Sequence, residues 1–108
     1  MSNPHNSVAT LEVRDGIYLI QGELSFVTVP NFWTTSQSHF VDPPAALQID
    51  LGAVTRTDSA GLALLVEWMR LARRQNRSIT FRNVPQQLLN LARVSGVDQL
   101  LPMAPTGA

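Results

Sequence analysis

The residues best suited to chemistry lie close together at Asp58, Ser59 and Gly61. A serine two residues before a glycine matches the second half of the Gly-x-Ser-x-Gly turn that exposes the nucleophile of α/β-hydrolases. The first glycine of that turn is absent, because position 57 is threonine, and neither histidine is placed as a base for the serine. The sequence therefore predicts a protein that is not an enzyme. Either Ser59 contacts a partner, or the acid and the serine only cap a helix.

Cofactor and metal chemistry are not predicted either. The chain has no cysteine and no lysine, so no Walker A lysine is available to reach a phosphate. His5 and His39 have no second ligand at metal-binding spacing. Asp50 and Asp58 could meet as acids do at phosphoryl-transfer sites, but Asp50 is better explained as a strand-end residue that bonds loop backbone. We therefore expect neither a cofactor nor a metal.

Length and charge limit the class of protein. A chain of 108 residues with 44% hydrophobic content forms one domain with one core. Its formal net charge of zero gives no general attraction to nucleic acid or to an anionic membrane. The start of the chain lacks the pattern of a signal peptide, so a cytoplasmic location is expected. Residues 1–7 and 102–108, rich in proline, glycine and small residues, are expected to be flexible.

Hydrophobic periodicity predicts an α/β fold in which a small mixed β-sheet is packed against helices. Asp15-Gly16 marks the turn of an antiparallel hairpin, and Asp58 is a good N-cap for the clearest helix. The predicted elements, in the order ββαβαβα, are strands at 11–13 and 17–20, a helix beginning near 28, a strand at 47–51 ended by Gly52, a helix at 58–75, a strand at 78–81 and a helix from 85. Strands that alternate with helices after the hairpin imply right-handed crossovers.

The long helix carries two apolar stripes. The first begins at Leu62 and faces the core. The second contains Leu64, Trp68 and Leu71, at positions i, i+4 and i+7. Two interpretations remain open for the second stripe, namely contact with a neighbouring helix, such as the last one, or an exposed docking face with an aromatic anchor.

The stretch 47–62, LQIDLGAVTRTDSAGL, resembles the STAS family. Its signature is a strand that ends in Asp-Leu, a short loop, and Asp-Ser/Thr-x-Gly-Leu at the start of a helix. Gly22-Glu23-Leu24, at the end of the second strand, matches as well. The resemblance covers about residues 8–101, which we predict to form a STAS domain. The family includes anti-sigma-factor antagonists and the cytosolic tails of sulfate transporters, so the resemblance implies a non-enzymatic partner-binding module.

Within that family the chain is most similar to the MlaB-type STAS subunits of Mla phospholipid-transport ABC systems. The similarity lies in residues 57–65, TDSAGLALL, in 71–75, LARRQ, and in Trp33 of the first helix. It implies a subunit that binds an MlaF-like ATPase, supports transporter assembly and activity, and stays peripheral at the inner membrane. The segment 55–61, interpreted as an exposed loop around Ser59, and two helix residues form the predicted site: Thr55, Arg56, Thr57, Asp58, Ser59, Ala60, Gly61, Leu64 and Trp68.

Two other functions remain open. The resemblance to anti-sigma-factor antagonists implies binding to an anti-sigma factor or kinase, but the serine phosphorylated in that branch is replaced here by Ala60. Ser59 is a candidate for phosphorylation, at a different position. The apolar stripe of the long helix also permits a sensor that binds a small lipid or nucleotide, although no glycine-rich phosphate loop supports it.

Overall fold

A computed structural model describes residues 8–104, which form one four-stranded sheet packed against three helices. The strands are β1 (Ala9–Arg14), β2 (Ile17–Leu24), β3 (Ala46–Thr57) and β4 (Ser78–Arg82), and the helices are α1 (Val29–Ser36), α2 (Ser59–Arg74) and α3 (Gln86–Val94). Short 3₁₀ helices follow α1 at Gln37–Phe40 and α3 at Asp98–Leu100. The strand order is β1-β2-β3-β4, with β1 antiparallel to β2 and the other pairs parallel. The predicted element order and the mixed sheet are confirmed.

The β1–β2 hairpin turns at Asp15 and Gly16, whose φ angles are 52° and 78°. Both residues are in the left-handed region, as a two-residue type I′ turn requires. The turn connects Arg14 to its pairing partner Ile17. The hairpin predicted from the Asp-Gly pair is therefore confirmed, because this turn depends only on adjacent residues.

The core lies between one face of the sheet and the helices. Ile20, Ile49 and Phe81, one from each of the parallel strands, are fully buried. Tyr18 is also buried, and its hydroxyl donates a hydrogen bond to the carbonyl oxygen of His39 at 2.5 Å. Burial raises the pKa of Tyr18, so the hydroxyl keeps its proton at neutral pH. This bond holds the 3₁₀ helix after α1 against the sheet.

Strand β3 is longer than the sequence predicts. Gly52 does not end it, and the strand continues to Thr57, which is paired with Leu24 of β2. The N–H of Gly52 donates to Asp50 Oδ1 at 2.8 Å, while β4 pairs only with residues 46–50 of β3. The predicted strand end was wrong because pairing with β2 satisfies the backbone beyond a glycine that weakens the strand locally.

The ordered domain also extends beyond its predicted C-terminal boundary. The N–H of Phe81 donates to the carbonyl of Pro102 at 2.8 Å, and the N–H of Ala104 donates to the carbonyl of Phe81 at 2.9 Å. These bonds place the chain alongside β4 in parallel. The prediction that 102–108 is flexible was wrong for its first three residues, because they pair with β4. The rest of that segment and residues 1–7 lie outside the described residues.

Candidate partner-binding site

The predicted site lies where two parallel strands end and α2 begins. Leu24, the last residue of β2, is paired with Thr57, the last residue of β3. The N–H of Asp58 donates to the carbonyl of Leu24 at 3.2 Å, and α2 starts at Ser59. The carboxyl ends of parallel strands are where α/β proteins usually bind ligands. The sheet therefore gives this site a rigid base.

Asp58 connects two distant segments through one carboxylate. Its Oδ1 accepts a hydrogen bond from the N–H of Ala60 at 2.8 Å, which confirms the predicted N-cap of α2. Its Oδ2 accepts from the N–H of Phe26 at 3.1 Å, in the loop between β2 and α1. The carboxylate therefore fixes that loop beside the first turn of α2.

The structure divides the predicted segment into exposed and supporting residues. Thr55, Arg56 and Ser59 are exposed. Thr57 is only 2% exposed, and its N–H donates to Gln87 Oε1 at 3.2 Å. The prediction of an exposed loop before α2 was wrong, because these threonines and the arginine between them are the last residues of β3. Ser59 is exposed, whereas Thr57 is buried and belongs to the support.

Gly61 allows the first turn of α2 to lie directly against β2. A Cβ atom at this position would be 2.9 Å from the carbonyl oxygen of Leu24 and would overlap Thr57 Oγ1. Real Cβ atoms do not approach other atoms so closely. Only glycine therefore fits at this position. Gly61 is itself buried and Ala60 before it is half-buried, so Gly61 supports the site and does not contact a partner.

Leu64 and Trp68 are not accessible to a partner, since they are 2% and 0% exposed. The ring of Trp68 stacks on Phe40 with centroids 5.5 Å apart, and meets Phe32 edge to face at 6.1 Å. The exposed docking face predicted as one alternative for this stripe was wrong. The stripe packs against a neighbouring helix, and that helix is α1 with its 3₁₀ extension rather than the last helix.

A cleft of about 760 Å³ lies beside Asp58, between the ends of β2 and β3 and the first turn of α3. The charged residues that line it are Glu23, Arg56 and Asp58. Both oxygens of Asp58 accept backbone hydrogen bonds, and Glu23 Oε2 accepts one from the hydroxyl of Ser25 at 2.6 Å. Arg56 forms no ion pair with any residue in the range 8–104. The cleft therefore presents an unpaired cation beside two carboxylates that already accept hydrogen bonds.

Metal-ligand clusters and membrane-spanning helices are both missing from the described part of the chain. Between residues 8 and 104, no three histidine, aspartate or glutamate side chains are grouped so that they could share a metal ion. None of the helices in that part of the chain has the length and apolar character needed to cross a bilayer.

Similarity to known proteins covers most of the chain. The sequence profile of the MlaB STAS domain matches residues 14–102, which include the whole predicted site. The chain belongs to the MlaB family of STAS domains. Domains of this family are typically binding or regulatory modules.

Curated relatives of this STAS domain match over a shorter stretch. The intermembrane phospholipid transport system binding protein MlaB of Escherichia coli K12 is 39% identical over 46 residues, which are 43% of this chain and 47% of that protein. The protein of the same name from Shigella flexneri gives the same values. The chain thus spans about half the length of the curated relatives it matches.

Solved structures resemble the STAS domain over nearly its whole length. The crystal structure of an anti-sigma factor antagonist from Mycobacterium paratuberculosis aligns with a TM-score of 0.70 and 25% identity, covering 98% of this chain and 92% of that one. An anti-sigma-factor antagonist (STAS) domain protein from Planctomyces limnophilus aligns with a TM-score of 0.67 and 19% identity. The alignment covers 93% of this chain and 91% of that one. Both confirm the STAS fold.

Two exposed apolar residues of this STAS domain were missed by the sequence analysis. Phe26 and Val27 are 65% and 70% exposed, in the loop that Asp58 binds. The hydroxyl of Ser25 accepts from the N–H of Val27 at 3.2 Å, which stiffens this loop. The available signal was the adjacency of two large apolar residues between the Gly22-Glu23-Leu24 motif and the start of α1.

Replacing Asp58 is expected to destabilise the site in two separable steps. Asp58→Ala removes the N-cap and the bond to Phe26 and should lower the free energy of unfolding by about 1.5–3 kcal/mol. Asp58→Asn keeps a good cap oxygen but turns an N–H donor toward the N–H of Phe26, so we expect about half that loss. Urea unfolding followed by far-UV circular dichroism measures both. Equal losses for the two variants would show that the N-cap contributes nothing, and an unchanged stability of Asp58→Asn would show that the bond to Phe26 contributes nothing.

Proposed function

We propose that this STAS domain binds the cytoplasmic, MlaF-like ATPase subunit of a phospholipid-transport ABC transporter and supports its assembly and activity. The main support is the match of residues 14–102 to the MlaB STAS domain, joined with the partial identity to MlaB, a phospholipid transport system binding protein. The complex would hold the chain at the cytoplasmic face of the inner membrane, without insertion into it.

The proposed docking surface is the exposed part of the predicted site, with Ser59 at its centre and Thr55 and Arg56 beside it. Asp58 and Gly61 set the position of Ser59 relative to the sheet. A rigid surface loses little conformational freedom on binding. The domain would act by contacting one conformation of the ATPase more favourably than another, which shifts the population of the ATPase toward that conformation.

An antagonist of an anti-sigma factor is the second candidate function. It is supported by the antagonist from Mycobacterium paratuberculosis, whose structure aligns over nearly the whole chain at 25% identity. Ala60 removes the hydroxyl that the phosphorylated form of that mechanism uses. The two functions predict different partners, an ATPase or an anti-sigma factor with kinase activity.

Ser59→Glu is expected to weaken binding to the purified ATPase of the organism's Mla-type transporter by at least roughly 10-fold, because a buried unpaired charge is costly at an interface. A carboxylate in the first turn of a helix is stabilising, so lost binding would not reflect unfolding. Ser38→Glu, at another exposed serine, is the matched control and should bind normally. Titration calorimetry measures the affinities.

The outcomes of this titration separate the candidates. Selective loss with Ser59→Glu supports docking through Ser59. If the ATPase does not bind the wild-type chain, the transporter proposal is overturned. If the chain binds an anti-sigma factor instead, the second candidate is favoured. If the wild-type and Ser59→Glu proteins bind the ATPase with equal affinity, the docking surface does not include Ser59.

A further inference from the structure

An apolar patch borders the proposed docking surface. The described part of the chain has eight large hydrophobic residues with exposed side chains, and three of them, Val8, Phe26 and Val27, lie around the cleft beside Asp58. Val8 and Val27 line this cleft together, and Phe26 is the residue bound by the Asp58 carboxylate. Single exposed apolar residues are ordinary, whereas clustered ones indicate an interaction surface.

The loop that carries Phe26 and Val27 is held by hydrogen bonds on both sides. The hydroxyl of Thr28 donates to the carbonyl of Glu23 at 2.7 Å and accepts from the N–H of Ser25 at 3.0 Å. The N–H groups of Phe26 and Val27 also donate hydrogen bonds to side chains, namely those of Asp58 and Ser25. The backbone of the loop is therefore held in place by hydrogen bonds. The two apolar side chains therefore point outward from a fixed backbone and do not collapse onto the core.

A rigid, exposed aromatic residue suits insertion into a pocket of another protein. Binding of a pre-ordered loop avoids most of the entropy loss that a mobile loop would suffer, and buried aromatic anchors dominate the affinity of protein interfaces. Three charged residues line the cleft beside the patch, and Arg56 is the cation among them. It is exposed and forms no ion pair in residues 8–104, although Glu23 is its pairing partner on β2. A complementary partner surface would place a carboxylate opposite this cation.

We propose that Phe26 and Val27 are the apolar anchor with which this domain docks into a hydrophobic pocket of the transporter ATPase, and that an acidic side chain at the rim of that pocket pairs with Arg56. The inference rests on the proposed function and adds to it the chemistry of the ATPase surface. The Asp58 carboxylate makes the anchor and Ser59 parts of one surface, because it bonds the loop at Phe26 and caps the helix that begins at Ser59.

Phe26→Ser/Val27→Ser tests the anchor in the full chain against the purified ATPase. Both side chains are exposed, and the loop bonds use only the backbone of these residues, so the double variant should fold normally. The dissociation constant is expected to rise roughly 10- to 100-fold. Val41→Ser/Val94→Ser replaces side chains that are 77% and 88% exposed elsewhere and should change it by less than about 2-fold.

Arg56→Glu tests the pairing by reversing its charge. We expect weaker ATPase binding, a lower association rate and a smaller dependence of that rate on salt than in the wild-type chain. Arg56→Lys keeps the charge and should retain most of the association rate. An unchanged association rate and salt dependence in Arg56→Glu would remove the acidic rim from the proposal.

The remaining outcomes decide between occupants of the patch. If the ATPase binds the serine double variant normally while Ser59→Glu still disrupts binding, the anchor is overturned and the proposed function survives. If the ATPase binds no form of the chain, the proposed function fails and the anchor fails with it. Patch-dependent pelleting with vesicles of phosphatidylethanolamine and phosphatidylglycerol, or patch-dependent dimers in light scattering, with unchanged ATPase binding, would assign the patch to lipid or to a second copy and overturn the anchor.

Discussion

Trp68→Ala is expected to lower the free energy of unfolding by about 3–5 kcal/mol, the range for removal of a large core aromatic side chain. Trp68 is 0% exposed and is the largest fully buried side chain of the domain. Its ring contacts Phe32 and Phe40, so the alanine variant would lose two aromatic contacts as well as apolar burial. A loss of this size is a large share of the stability of a domain of 108 residues.

Trp68→Phe separates packing from the indole N–H. The indole N–H is buried and has no hydrogen-bond partner among the described residues, so phenylalanine removes an unsatisfied donor while it leaves a smaller cavity than alanine. We expect a loss of about 1–2 kcal/mol. Val94→Ala, at a side chain that is 88% exposed, is the control and should change stability by less than about 0.5 kcal/mol.

Urea unfolding by far-UV circular dichroism measures these three variants, because its signal does not depend on tryptophan. A loss below about 1 kcal/mol for Trp68→Ala would contradict the core position of this residue. Such a small loss would favour the interpretation of this stripe as an exposed docking face, which the burial of Leu64 and Trp68 excludes.

Gly61→Val is expected to lower the free energy of unfolding by about 3 kcal/mol or more, because the first turn of α2 has no room for a side chain. Even a single Cβ would lie 2.9 Å from the carbonyl oxygen of Leu24. That oxygen belongs to the sheet backbone and accepts from the N–H of Asp58, so it cannot move away cheaply. The helix must shift instead, which would move Ser59 and weaken the proposed binding to the ATPase.

Gly61→Ala sets two opposing effects against each other. Alanine favours the helix by about 1 kcal/mol relative to glycine, but overpacking costs about 1–3 kcal/mol. We expect a net loss of stability, smaller than that of the valine variant. Ala63→Val is the control for the valine variant, because it introduces valine at an exposed position of the same helix. It should lower the free energy of unfolding by only about 0.5 kcal/mol. If Gly61→Ala instead raised the free energy of unfolding in the same urea experiment, the first turn of α2 would not be closely packed against β2.

Local signals in the sequence predicted the turns and caps of this domain. Asp15-Gly16 predicted the hairpin turn, and Asp58 predicted the start of α2. Each of these features depends on the allowed φ angles or hydrogen bonds of a few adjacent residues. Such information is contained in a short stretch of sequence.

Strand length and side-chain exposure did not follow from local pattern. Gly52 was interpreted as the end of a strand, but hydrogen bonds to β2 carry β3 to Thr57. The stripe that contains Trp68 had the spacing of one helix face, and spacing alone does not specify whether another element covers that face. The covering rings, Phe32 and Phe40, come from a segment whose position depends on the whole fold.

The sequence by itself determined the STAS family, the order of elements and the motif around Ser59, because these depend on residue types at short spacing. Only the tertiary structure decided which residues of that motif are exposed and which support it. It also decided that the loop at Phe26 belongs to the same surface, through a hydrogen bond to Asp58 between residues 32 positions apart. Contacts between distant residues form only when the whole chain packs, and no local pattern encodes them.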